Sequence, residues 1–206
     1  MHATRIIVAI TAGMMICSTG CKKNAVDTIA FKSALNAYYA GRQACLWPTP
    51  IKFPAQADTS NDEQTKAYDS LTDAGLLTRK AEEKKRFLVG SKSVTNYDLS
   101  EQGRSLWTPD TTQPGYGNFC FGHPEVSSID GYTPTDDSQT HYSVTYHVGL
   151  GGVPAWANSA SVKTAFPKVA AETSGQQMAT AALAKTADSW LVEKVQAGPA
   201  PANPMP

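Results

Sequence analysis

The sequence predicts an α+β protein, with a helix-rich N-terminal part over residues 27–107 and a small antiparallel sheet with one covering helix over residues 108–196. Three observations carry this. Apolar residues at helical spacing, flanked by capping residues, recur through the first part. Strict two-residue alternation in "HYSVTYHVGL" marks a half-buried strand in the second. Between them "TPDTTQPGYGNFC" is a glycine- and proline-rich crossing, which reads as the boundary between two subdomains. With 41% apolar and 17% charged residues the chain is globular, and 206 residues allow one domain or two small ones.

In "DTIAFKSALNAYYAGRQAC" Phe31, Leu35 and Tyr38 fall at helical spacing behind Asp27 as a cap. Pro48, Pro50 and Pro54 then forbid helix and impose an extended path through "LWPTPIKFPAQADTS". Ser60 and Glu63 read as a capping box for the helix "NDEQTKAYDSLTDA", with Tyr68 and Leu71 facing inward and Gly75 as its left-handed terminus. "LLTRK" and "SVTNYDLS" read as strands separated by "AEEKKRFLVGSK", and Ser100 caps the helical turn "EQGRSLW".

Beyond the crossing, "PEVSSIDGYTP" alternates modestly, while "HYSVTYHVGL" sets Tyr142, Val144, Tyr146 and Val148 against His141, Ser143, Thr145 and His147. "VPAWANSASVKTAF" reads as the covering helix, anchored by Trp156. "QQMATAALAKTADSWLVEKV" reads as a hairpin turning near "TADS", with Trp190 and Val192 on one side. Four prolines in the last ten residues, 197–206, predict a disordered or polyproline tail.

The first residues bear on compartment. Arg5 precedes an apolar run from Ile6 to Cys17, too short to span a hydrocarbon layer of ~30 Å, and Ser18, Thr19 and Gly20 lead into Cys21. Such a segment is an export signal over residues 1–20. Small residues directly before a cysteine resemble the lipobox of bacterial lipoproteins, although Ser18 stands where that family most often has leucine. The resemblance implies cleavage before Cys21 and acylation of that residue, a membrane anchor with residues 21–26 as a tether. Lys22 in place of aspartate implies the outer membrane over the inner, with the protein facing the periplasm. Cys17 leaves with the signal and Cys21 takes lipid, so Cys45 and Cys120 are left in an oxidising compartment, where a disulfide between them is expected.

The segments "DAGLLTR" and "YDLSEQGRSLW" resemble the helix-plus-wing half of a winged-helix domain, over residues 61–107. This makes the expected N-terminal part winged-helix-like. Charge argues against the family's DNA binding. The signal removes Arg5 alone from 18 basic and 18 acidic side chains, so no long-range field remains to attract polyanions. The basic patch Arg79, Lys80, Lys84, Lys85, Arg86 and Lys92 is interrupted by Glu82 and Glu83, and the groove-facing helix carries Asp62, Glu63, Asp69 and Asp73 against Lys66. No nucleic-acid partner is expected.

Candidate chemistry is sparse. His141 and His147 share a strand face, but six residues put them roughly 20 Å apart, too far to hold one metal. His123 lies in a loop-like "FGHPE", and Asp130, Asp136 and Asp137 read as solvated turn carboxylates. "GLGGVP" at 149–154 reads as a flexible turn rather than a phosphate loop, and Trp47, Trp107, Trp156 and Trp190 as separate core anchors. No catalytic, cofactor-binding or metal-ligating residue is assigned. The expected function is a lipid-anchored, non-enzymatic binding or interaction module with an envelope protein partner. The alternative is a periplasmic hydrolase or metal-dependent enzyme using His123, His141 and nearby aspartates at the subdomain junction.

Overall fold

A computed structural model describes residues 28–85 and 91–198. Along the chain run α1 (Thr28–Tyr39), β1 (Ala44–Cys45), β2 (Ile51–Lys52), β3 (Ala55–Asp58), α2 (Asp62–Asp73), β4 (Leu77–Lys85) and β5 (Ser91–Leu99). There follow α3 (Glu101–Leu106), β6 (Trp107–Pro109), β7 (Tyr116–Pro134), β8 (His141–Gly151), a 3-10 turn (Ala155–Asn158), α4 (Ala160–Ala165), α5 (Pro167–Glu172), β9 (Gln177–Lys185) and β10 (Trp190–Ala197). Cys21, the Asp27 cap, Arg86 and the tail from residue 199 lie outside the described residues.

The protein is mainly antiparallel β, which corrects the expected fold class. Seven strands form one curled sheet in the order β1-β7-β8-β9-β10, with β2 and β6 also paired to β7. A separate three-stranded sheet runs β3-β5-β4. The winged-helix reading fails because residues 44–58, where a second helix of a helix-turn-helix would have to sit, form strands. β1 and β2 pair with β7, and β3 pairs with β5. Prolines forbid helix there, as expected, but they do not forbid short edge strands. The two helices also separate: α1 packs on β7 and β10, whereas α2 packs against α4.

The expected single covering helix is corrected as well. "VPAWANSASVKTAF" breaks into the 3-10 turn and α4, with Phe166 as the N-cap of α5 and Trp156 buried. The helix that covers the alternating strands is α1. Its Phe31 and Leu35 are fully buried with Val126, Tyr142, Val144, Tyr146, Ala181 and Leu183. Phe31 stacks within 5.4 Å of Tyr142 and 4.8 Å of Trp190, and the Tyr39 hydroxyl meets that of Tyr146 at 2.8 Å. Those contacts run α1 in the same direction as β8 and against β7. The amide of Val126 donates to Asn36 Oδ1 at 2.9 Å, where β7 bulges between Val126 and Ser128 and would otherwise leave a donor unpaired.

A second core cluster gathers Leu46, Phe53, Tyr68, Leu71, Tyr97, Phe119, Trp156 and Val169, so packing crosses residue 107 rather than stopping there. Within it, the N-cap of α2 is Asn61, whose Oδ1 accepts from Gln64 N at 3.2 Å. Ser60 instead donates its amide to Asp58 Oδ1, so the Ser60–Glu63 capping box does not form as read. Gly75 takes φ +80° and Leu76 N reaches back to Leu71 O at 2.8 Å, closing the helix as expected. Ser100 caps α3 by accepting from Gly103 N at 2.8 Å, and donates to Gly75 O at 2.6 Å. Those bonds draw α3 so close to Leu76 that a Cβ on Gly103 would sit 1.9 Å from the Leu76 carbonyl oxygen.

Cys45 and Cys120 face each other across β1 and β7 and form the expected disulfide. It closes 75 residues of sequence separation, containing β2 through β6. In the chain-entropy treatment a loop of that size contributes about 4 kcal/mol. The double variant Cys45→Ala/Cys120→Ala is expected to lose roughly that much in urea unfolding; a midpoint unchanged from the oxidised protein would refute it. Gly103→Ala, forced against backbone, should cost about 2 kcal/mol or more by the same measurement.

Candidate functional site

At the end of the sheet where α1 finishes, three elements stop short of one another and leave a cleft. The turn after α1 supplies Arg42 and Gln43, the end of β8 supplies Val148, Gly149 and Leu150, and the α5–β9 connection supplies Glu172 and Gly175. Two adjoining depressions of about 330 and 340 Å³ share Gly149, Leu150, Glu172 and Gly175. The first is mixed in character, with Lys32, Glu125, Ser127 and Gln176. The second is mostly apolar, lined by Tyr39, Pro124, Leu150, Met178 and Val195, with Arg42 and Lys168 beside it.

Local sequence explains the opening. "GLGG" does not form the flexible turn expected of it; Gly149 to Gly151 complete β8. A Cβ on Gly151 would lie 2.6 Å from Glu125 Oε2, and one on Gly149 3.3 Å from Gln176 Cγ, so side chains there would crowd the floor. Met178 is half exposed, an apolar residue presented at the rim. Both cations are positioned: the Arg42 guanidinium lies 3.9 Å from the Tyr38 ring centre, and Lys168 Nζ donates to Cys45 O at 3.1 Å. Lys168 also lies 3.9 Å from Glu172 Oε1. The disulfide-bonded strand thus helps to place one charge at the cleft.

The candidate histidines are not brought together. His123 stands opposite Gly151 in the β7–β8 ladder, beside Glu125 in a neighbouring depression that reaches Asn36 and Gln43. His141 begins β8 at the other end, ten residues away, which is about 33 Å of strand. There His141 Nδ1 lies 3.0 Å from Asp136 Oδ2. His147 Nδ1 contacts Asp130 Oδ2 at 2.6 Å, and Ser128 Oγ donates to Asp130 Oδ1 at 2.9 Å. Serine, aspartate and histidine are neighbours here, yet the serine bonds the carboxylate and not the imidazole. That order cannot pass the serine proton to a base. The aspartates 130 and 136 serve different histidines, and among the described residues no group of three or more His, Cys, Asp or Glu is arranged to hold a metal.

The polar pairs have electrostatic consequences. Hydrogen bonds from Thr140, His141 and Ser138 hold the Asp136 carboxyl far below the usual carboxylate range, and the bond to Asp136 raises His141. His147 and Ser128 likewise lower Asp130. Away from the cleft, burial and then the bond to Asp69 push Tyr97 up to about 12, and Arg79 bonds the same carboxylate at 2.8 Å. Arg79, read as part of a basic patch, is therefore paired with an acid of α2. Burial, then the bond to Tyr39, raises Tyr146 well above the ordinary tyrosine range.

Comparison of the chain with known families, curated proteins and solved structures gives no significant match. Sequence reasoning missed the cleft residues Tyr39, Arg42, Leu150, Lys168 and Met178. They come from four separate segments, and "GLGG" was the one local signal among them.

The Asp136–His141 turn gives a pH prediction with a definite sign. Asp136, lowered from 3.8, stabilises above that value and the effect is lost as pH falls through its folded pKa. His141, raised from 6.5, stabilises below 6.5 and the effect is lost as pH rises through its folded pKa. The turn is thus most stable between about pH 4 and 6.5. In Asp136→Asn the His141 ring is expected to titrate at lower pH than in the wild type by NMR; an identical titration would mean that the pair does not form.

Proposed function

We propose that this is a lipid-anchored protein of the bacterial envelope, facing the periplasm, that works as a non-enzymatic binding module through the cleft at the end of its sheet. The carrying observation is the cleft: a largely apolar, preformed concavity with a few placed charges is what a recognition site requires. No described nucleophile stands against a base beside it, so the geometry favours holding a ligand or partner over transforming it.

The compartment reading is supported by the residues around Cys21 and by the Cys45–Cys120 bridge, which suits an oxidising environment. Acylation with two or more chains, at roughly 0.8 kcal/mol per buried methylene, would hold the protein stably on a membrane. Lys22 favours the outer membrane. Among the described residues no helix is long and apolar enough to cross one.

Membrane fractionation with intact mass on wild type and Cys21→Ala tests the anchor. The wild type is expected in the membrane fraction with an acylated residue 21, and the variant without acyl groups. A cytoplasmic, unprocessed wild type would overturn the reading. Stoichiometric bound metal, or hydrolytic turnover abolished by His123→Ala, would overturn the non-enzymatic part alone.

A further inference from the structure

We propose that the end of the sheet beside the start of α1 rests on a zwitterionic phospholipid surface, with Tyr132 and Trp190 at the headgroup level. This rests on acylation of Cys21, and it adds an orientation to that reading. Six residues separate Cys21 from Thr28, and a chain of that length spans at most about 25 Å when fully extended. An acylated Cys21 sits at the bilayer surface. The first residue of α1 therefore lies within about 25 Å of the headgroups.

α1 takes one end of the sheet with it. One turn into the helix, Phe31 packs against Tyr132 at 5.5 Å, Tyr142 at 5.4 Å and Trp190 at 4.8 Å. These residues mark the end of β7, the start of β8 and the start of β10, the end that carries the turns 135–140 and 186–189. The apolar depression of the cleft lies at the opposite end of α1, whose 12 residues extend about 18 Å. The tether joins the chain at the aromatic end, and contact of that end with the headgroups turns the cleft away from the membrane.

The chemistry of the near end suits lipid headgroups. Tyr132 is 40% exposed, Trp190 is partly exposed, and Ile29 on the first turn of α1 is 75% exposed. Tyrosine and tryptophan combine an apolar ring with a polar tip and favour the membrane–water interface. The charges nearby are mixed. Asp137 and Asp188 are exposed beside exposed Lys185, while Asp136 is occupied by bonds from Thr140, Ser138 and His141. Two free carboxylates would be repelled by a strongly anionic surface, whereas a layer carrying both phosphate and ammonium can answer both signs.

The test uses the full acylated protein reconstituted into phosphatidylcholine vesicles whose acyl chains are brominated near the glycerol end. Bromine quenches tryptophan only at close range. Part of the emission is expected to be quenched, and Trp190→Phe should remove that part, since Trp47, Trp107 and Trp156 belong to the other core cluster. Inserting a flexible glycine-serine segment of about 20 residues between Lys23 and Asn24, ahead of every described residue, should reduce the quenching at least about two-fold by freeing the orientation. Acylated protein whose emission the bromolipid leaves unchanged would overturn the proposal. So would quenching that persists in Trp190→Phe, or quenching that the longer tether does not reduce. Wild type lacking acyl groups by intact mass would overturn the anchor and the orientation together, which keeps the two failures apart.

Discussion

The 19-residue strand β7 is the constraint on which the other described elements depend. Its first part pairs with β1, β2 and β6, and its second part pairs with β8. Phe119 and Phe121 fall into one core cluster and Val126 into the other, so a single strand runs through both. Register errors in β7 would therefore exchange core for solvent on both sides at once. The disulfide fixes one point of that register at Cys120, and two bulges, beyond Val126 and beyond Ile129, bend the strand so that the sheet curls around α1.

Polar groups in the core act as placing devices. Tyr39 and Tyr146 share a hydroxyl contact that fixes the far end of α1, and Tyr97 with Arg79 grips Asp69 to seat α2 on the three-stranded sheet. Asn118 is buried and answers both sides of Trp47, accepting from its amide and donating to its carbonyl. No buried side-chain polar atom among the described residues lacks a partner. Such bonds contribute modestly when made and cost more when broken, so they select one packing rather than adding much stability.

What could be read from the sequence was local. The burial of Phe31 and Leu35, the capping by Ser100, the glycine terminus at Gly75 and the inward face of Tyr142, Val144 and Tyr146 are each decided within a few residues. The Cys45–Cys120 pairing could also be read, because the expected export and lipidation leave one partner for each. What failed depended on distant pairing. Nothing in "LWPTPIKF" announces that Ile51 will lie opposite Gly117, and a helix followed by two strands and a capped turn fits more than one fold. The winged-helix likeness was a match of local order without the packing that defines that fold. The cleft was hidden for the same reason, since its walls are contributed by the ends of elements far apart in the chain.

The sheet also limits where a partner can attach. β10 is the free edge, and an edge of eight residues would ordinarily invite another strand. Here the register breaks between Val192 and Lys194, and exposed Glu193 and Lys194 stand at that break. A bulge and adjacent opposite charges at the middle of an edge oppose continuous pairing, and each half is too short to hold a strand alone. At the other edge the disulfide-bonded β1 is only two residues long, and β2 and β6 occupy the rest of β7. Strand addition is disfavoured at both edges of the seven-stranded sheet, so a partner of the proposed binding role would meet side chains on that sheet, and the apolar cleft beside Leu150 and Met178 is where they converge.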